Sequence, residues 1–132
     1  MTEWFDNHCH LSENAEEEVI EARKALVVGF INVGTDFETS IEAIEKAKTL
    51  PDVWATAGVH PHEARKGIEG IEDLLADSNV VAVGEAGLDY HYDYSPREDQ
   101  KKIFAEQIEM ANKFNLPLVI HTREAWEETF NI

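Results

Sequence analysis

The sequence predicts an α/β fold made of successive parallel β/α units, and three observations carry that prediction. Short β-branched or apolar runs alternate with helical patterns along the chain, several runs are almost solidly apolar, and polar residues gather just after them. Parallel strands joined by helices are covered on both faces, so they read as apolar runs where a half-solvated antiparallel sheet would alternate. Strands are expected near Trp4–Asn7, Phe30–Val33, Val53–Ala57, Val80–Gly84 and Leu116–Ile120. Helices are expected near Glu13–Leu26, Phe37–Leu50, Gly67–Ala76 and Pro96–Phe114, with a last one opening near Arg123.

The helices carry their own signals. In the second, Ile41, Ile44 and Ala47 lay an apolar stripe at three-residue spacing, and Pro51 stops the element. In the fourth, Ser95 is placed to cap, Pro96 suits the first helical position and Glu98 supplies a capping-box carboxylate. Phe104, Ile108, Ala111 and Phe114 of that helix share a side, leaving Glu106, Glu109 and Lys113 for water. A complete eight-stranded β/α barrel takes about 250 residues. Five strands in 132 residues therefore predict one domain over 1–132, corresponding to about the first five units of a TIM-type β/α barrel, with the remainder absent.

Composition narrows the function classes. With 43% hydrophobic and 29% charged residues the chain reads as globular, and a formal net charge of −16 repels polyanions at long range. That argues against a general nucleic-acid coat protein or a binder of anionic membranes, but not against a site whose cations reverse the local field. No apolar run approaches the roughly 20 residues that cross a bilayer, and the first residues lack a signal-peptide pattern. A single cysteine excludes an internal disulfide and fits a reducing cytoplasm.

Reactive groups of α/β sheets collect at the carboxyl ends of strands. Here the first strand ends in Asp6-Asn7-His8-Cys9-His10, the third in Gly58-Val59-His60-Pro61-His62, the fourth in Gly84-Glu85-Ala86-Gly87-Leu88-Asp89-Tyr90 and the fifth in His121-Thr122-Arg123-Glu124. Alternate side chains of an extended segment share a side, so Asp6, His8 and His10 point together and Cys9 points away, towards the helical layer. Two such imidazoles can bind one cation, although read alone they are equally a pair of polar strand-end residues. Glu85, between Gly84 and Gly87, reads as a carboxylate at the rim of a site, its glycines letting backbone approach a ligand. A carboxylate there can bridge two cations about 3.5–4 Å apart, or else pair with a basic residue. His121 could ligate a second cation. His60 and His62 read as further ligands, as donors to a substrate anion, or as a polar loop. Arg123 reads either as a phosphate-binding fork or as one of an exposed helix-start pair with Glu124. His91, Tyr90, Tyr92 and Tyr94 form an aromatic loop that could stack on a base or simply cover the barrel mouth.

Taken together, four ordered blocks resemble the TatD family of metal-dependent deoxyribonucleases: Phe5-Asp6-Asn7-His8-Cys9-His10-Leu11, Gly58-Val59-His60-Pro61-His62, Gly84-Glu85-Ala86-Gly87-Leu88-Asp89-Tyr90, and Leu116 through Ala125. The resemblance covers essentially the whole chain. It implies an amidohydrolase-like β/α barrel that uses two divalent cations, magnesium with manganese or zinc as alternatives, to hydrolyse phosphodiester bonds of DNA at single strands or 3′ ends. By position, His8 and His10 would bind one cation, Glu85 would bridge both and act in catalysis, and His121 would bind the other. His60, His62, Asp89, Tyr90 and Arg123 would lie towards the substrate. The family's further histidine and catalytic aspartate come from later strands, beyond Ile132. Two alternatives stay open: a half barrel that acts only through self-association or partner binding, its uncovered edges favouring a homo-oligomer, and a related amidohydrolase or phosphoesterase on small molecules.

Overall fold

The computed structural model describes residues 1–132, and its element order is β1 (Trp4–Cys9), α1 (Ala15–Lys24), β2 (Val27–Asn32), α2 (Phe37–Thr49), β3 (Val53–Ala57), a 3-10 turn (Pro61–Lys66), α3 (Ile71–Leu74), β4 (Val80–Asp89), α4 (Arg97–Phe114), β5 (Leu118–Arg123) and α5 (Trp126–Thr129). All neighbouring strands pair in parallel, in the order β1-β2-β3-β4-β5. The five strands curl into half of a barrel with helices packed against them, as the alternation of strand and helix signals predicts.

The main core is made by apolar side chains of the sheet meeting those of the helices. Phe30, Val53, Ala55, Val80 and Val83 pack with Val19 of α1, Ala43, Ile44 and Ala47 of α2, and Ala111 of α4. Full burial of a valine, isoleucine or phenylalanine is worth roughly 1.5–3 kcal/mol, so these side chains, more than helix propensity, hold the units together. The stripe on α2 is narrower than the sequence suggests, because Ile41 stays exposed while Ser40 is buried with Ala43. The N-terminus of α2 is closed by Asp36, whose carboxylate accepts from the Thr39 N–H at 2.9 Å while the Thr39 hydroxyl takes the Asp36 N–H.

Several boundaries move, each for a tertiary reason. β4 runs ten residues to Asp89 instead of stopping at Gly84, because β5 pairs along its second half, Gly87 against His121 and Asp89 against Arg123. β5 begins after Pro117, which has no N–H for the ladder. The expected third helix is reduced to the single turn of α3, because Gly67 and Gly70 before it both take positive φ, at 85° and 83°. Ser95 does not cap α4, since its hydroxyl donates to the His62 carbonyl and accepts from the Arg65 N–H. Glu98 forms no capping box and pairs with Lys101.

Two glutamines on the inner face of α4 do what a purely apolar helix could not. Gln107 accepts from the Val59 N–H at 2.8 Å and donates to the Val59 carbonyl at 2.9 Å, so one buried amide replaces a missing strand neighbour just after β3. Gln100 accepts from the Asp89 N–H and donates to the Asp89 and Ser95 carbonyls, splinting the end of β4 in the same way. These bonds hold in place the two chain segments from which His60, His62 and Asp89 project.

Candidate metal centre

Glu85 sits inside β4, only 7% exposed, and the glycines around it serve a different approach from the one the sequence suggests. Gly84 has φ +133° and Gly87 φ +144°, and a Cβ on Gly87 would collide with the His121 carbonyl oxygen. They admit the backbone of β5 instead of a ligand, and that contact draws His121 up against Glu85.

The two oxygens of Glu85 face different histidines. Oε2 lies 3.4 Å from His8 Nε2 and 3.7 Å from His10 Nε2, while Oε1 lies 3.2 Å from His121 Nδ1. His10 Nδ1 is 2.9 Å from the Val33 carbonyl, which can only accept, so the ring proton sits on Nδ1 and the Nε2 lone pair is turned towards the carboxylate. Buried Asn32 accepts from the Leu11 N–H at 2.9 Å and steadies the chain just after His10. Cys9 points the other way, packs against the core and donates to the Ile31 carbonyl. Burial pushes its thiol up to about 12, so it is no ligand at neutral pH.

Ligand atoms of His8, His10 and Glu85 fall within 4.8 Å of one another, and those of His60, Glu85 and His121 do the same. Imidazole nitrogens and a carboxylate oxygen converging at this spacing fit a divalent cation. His60 differs from the others in chemistry. Its Nδ1 accepts from the His62 N–H at 3.1 Å, and burial, reinforced by the neighbouring His121 charge, lowers it to about 4. The neutral ring therefore carries its proton on Nε2 and is a hydrogen-bond donor suited to an anion.

Behind these rings stands Asp89, fully buried. Its Oδ2 accepts from His62 Nε2 and His121 Nε2, both at 2.9 Å, and from Arg123 Nε and Nη2 at 3.0 and 2.7 Å, while Oδ1 accepts from the His91 and Tyr92 N–H groups. Burial would raise its carboxyl, but the Arg123 guanidinium, the Tyr92 amide and the two histidines outweigh that and hold it well below the carboxylate range. Glu85 is likewise lowered, burial being outweighed by the His121 hydrogen bond and the nearby His60 and His8 rings. His121, between two carboxylates, is raised, the Glu85 bond contributing most and burial opposing it.

Three of the residues expected towards the substrate are already engaged within the fold. Asp89 has no exposed surface. Arg123 lines the cleft, with its Nε and Nη2 both committed to Asp89. Tyr90 alternates to the opposite side of its strand, where its ring packs with Ala86, Leu88 and Phe104 and its hydroxyl donates to Glu128 at 2.7 Å. What remains open is a cleft of about 420 Å³ lined by His10, Thr35, His60, His62, Glu63, Glu85, His121 and Arg123, without one hydrophobic residue. Gln100 and Gln107 escape sequence reasoning, although polar residues spaced at 100 and 107 within the stripe of Phe104 and Ala111 were a readable signal.

The chain matches known proteins over nearly all of its length. The pattern described as TatD-related DNase covers residues 5–132. The chain is 42% identical to an uncharacterized metal-dependent hydrolase, YabD of Bacillus subtilis, over 97% of its own length and 54% of that protein. It is 41% identical to a 3′-5′ ssDNA/RNA exonuclease TatD of a Rahnella strain, over 83% of its length and 44% of that protein. Among solved structures, YJJV, a TatD homolog from Escherichia coli, superposes with a TM-score of 0.83 at 26% identity, over 96% of this chain and 53% of that one. The chain thus spans about half the length of these relatives.

Proposed function

We propose a function on one premise: the chain belongs to the TatD-related DNase family. The function is the metal-dependent hydrolysis of phosphodiester bonds in single-stranded nucleic acid, DNA in particular, from the 3′ end. Glu85 carries this reading, one buried carboxylate turning Oε2 to the His8 and His10 pair and Oε1 to His121. A carboxylate shared between two nitrogen donor sets is the arrangement a two-cation hydrolase needs.

In this reading His8, His10 and Glu85 hold one divalent cation, and Glu85 and His121 hold the other. Bound there, the cations would supply Lewis-acid chemistry and lower the pKa of water. The remaining work belongs to side chains. Asp89 keeps the proton of His121 on Nε2, which leaves Nδ1 for the cation side of the ring. His60 gives its Nε2–H to a phosphate oxygen, neutral across the working range because burial holds it near 4. Asp89 takes up the charge of Arg123, so a phosphate in the cleft is attracted by the cations and by His60, not by a basic surface.

Titration calorimetry with manganese, paired with a 5′-labelled single-stranded oligonucleotide, tests the proposal. The chain is expected to bind two cations and shorten the label in single-nucleotide steps. His8→Ala/His10→Ala should lose one binding event, and Glu85→Gln should lose both the tight binding and the cleavage while keeping its circular dichroism. Unchanged metal binding in Glu85→Gln would show that Glu85 is only an ion-pair partner and would remove the proposal.

A further inference from the structure

The loop after β4 carries two large aromatic rings that the proposed chemistry does not use. Tyr92 and Tyr94 stack on one another with centroids 5.2 Å apart and planes within 7°, yet they stay 43% and 57% exposed. Rings that merely covered the barrel mouth would be buried by doing so. Each touches a side chain that lines the cleft: the Arg123 guanidinium lies 4.6 Å from the Tyr92 centroid, and the His62 ring stands edge-on to Tyr94 at 4.8 Å. The loop is pinned as well. The Tyr92 N–H binds Asp89, Ser95 Oγ donates to the His62 carbonyl, and Asp93 takes a fork from Arg97.

We propose that Tyr92 and Tyr94 form a stacking platform for the terminal base of a single-stranded nucleic acid whose last phosphodiester lies in the cleft. The inference rests on the functional reading above and adds how that substrate is chosen. A base inside a duplex has both faces occupied by its neighbours, whereas an unpaired terminal base has a face to give. Rings already stacked and a loop already fixed lose little freedom when the base arrives.

Charge leaves this role to the rings. Every lysine and arginine except Lys46 and Arg65 is in an ion pair with a carboxylate, and the chain carries a formal net charge of −16. Lys46 is spent on the Leu11 carbonyl. A protein of this charge gains little from counterion release, so beyond the phosphate that the cations and His60 attract, the strand needs a contact that does not depend on charge. Stacking is such a contact, and it accepts any base because every base has a π face.

The test compares a fluorescein-labelled decamer of thymidines with the same decamer ending in an abasic 3′ residue, by anisotropy in manganese, the last linkage of both being a phosphorothioate that resists cutting. The intact chain should bind the thymidine decamer about tenfold more tightly, the lower part of the range expected for one stacked base. Tyr94→Leu should bring the ratio close to one, and Tyr94→Trp should keep it. A ratio near one for the intact chain, or a ratio that survives in Tyr94→Leu, overturns the platform. The same two decamers with ordinary phosphodiester linkages throughout are then incubated with manganese. Base-dependent binding without cleavage would keep the platform and overturn the hydrolytic reading instead.

Discussion

Asp89 concentrates the local physics of the site in one side chain. It has no exposed surface, and its two oxygens accept from two histidines, an arginine and two backbone amides. Asparagine at this position keeps the shape but presents an NH₂ or an uncharged oxygen to six N–H donors from five residues. Asp89→Asn is expected to cost about 2–4 kcal/mol, the range for breaking one side of a buried, charged hydrogen-bond set. Because the folded carboxyl is held below its unfolded value, its contribution is complete above about pH 4 and is lost as pH falls further towards the folded value. Urea denaturation of the two proteins should therefore differ most at neutral pH and converge in acid. A gap that stayed constant down to pH 2 would mean the loss comes from packing and not from charge. The variant also releases the proton on His121 Nε2, so long-range ¹⁵N spectra should show His121 leaving its single tautomer.

At the scale of elements, α4 is the part whose role the sequence conceals. Its apolar stripe packs on the sheet, but Gln100 and Gln107 lie within that stripe and satisfy backbone groups of Val59, Asp89 and Ser95. Buried polar side chains elsewhere all find partners too, so the helix face is a fitted surface and not a generic hydrophobic one. Gln107→Leu keeps the volume and strands both the N–H and the carbonyl of Val59. We expect a loss of about 1–3 kcal/mol in urea and faster hydrogen exchange at Val59 than at core amides of β3. Unchanged exchange there would show that water replaces the glutamine. Ser95 and Glu98 make the opposite point: their positions fit a capping motif, yet Ser95 is recruited to the 3-10 turn and Glu98 to Lys101.

For the whole molecule the decisive feature is that β1 and β5 are both edges of the sheet. Trp4 and Phe5 are 62% and 51% exposed on β1, Ile120 is exposed on β5, and Trp126 and Phe130 are exposed on α5. Unpaired parallel edges beside exposed aromatic side chains invite pairing, and a second copy turned about the barrel axis would bring the β1 edge of one chain to the β5 edge of the other. The net charge of −16 opposes that approach, and salt screens it over about 8–10 Å at 0.1–0.15 M. Sedimentation velocity should show a larger average mass in 0.5 M than in 0.05 M sodium chloride. A monomer at both would mean that these edges are protected as they stand.

The sequence by itself determined the class of fold and the kind of residues at its strand ends. Strand and helix periodicities are local, so five strands in parallel β/α order could be read from apolar runs, and the positions of His8, His10, Glu85 and His121 followed from where those runs stop. The tertiary structure alone decided which of these groups face one another and which are already spent. Burial and alternation turn Tyr90 into the core, close contact of β4 with β5 through Gly84 and Gly87 sets His121 against Glu85, and Asp89 claims Arg123 before any phosphate can. The last two are not visible in the chain because each depends on residues more than 30 positions apart meeting at one carbonyl or one carboxylate, and Tyr90 turns inward only because Phe104 of α4 is brought beside it. A sequence lists the donors, and only the packed sheet decides who accepts from them.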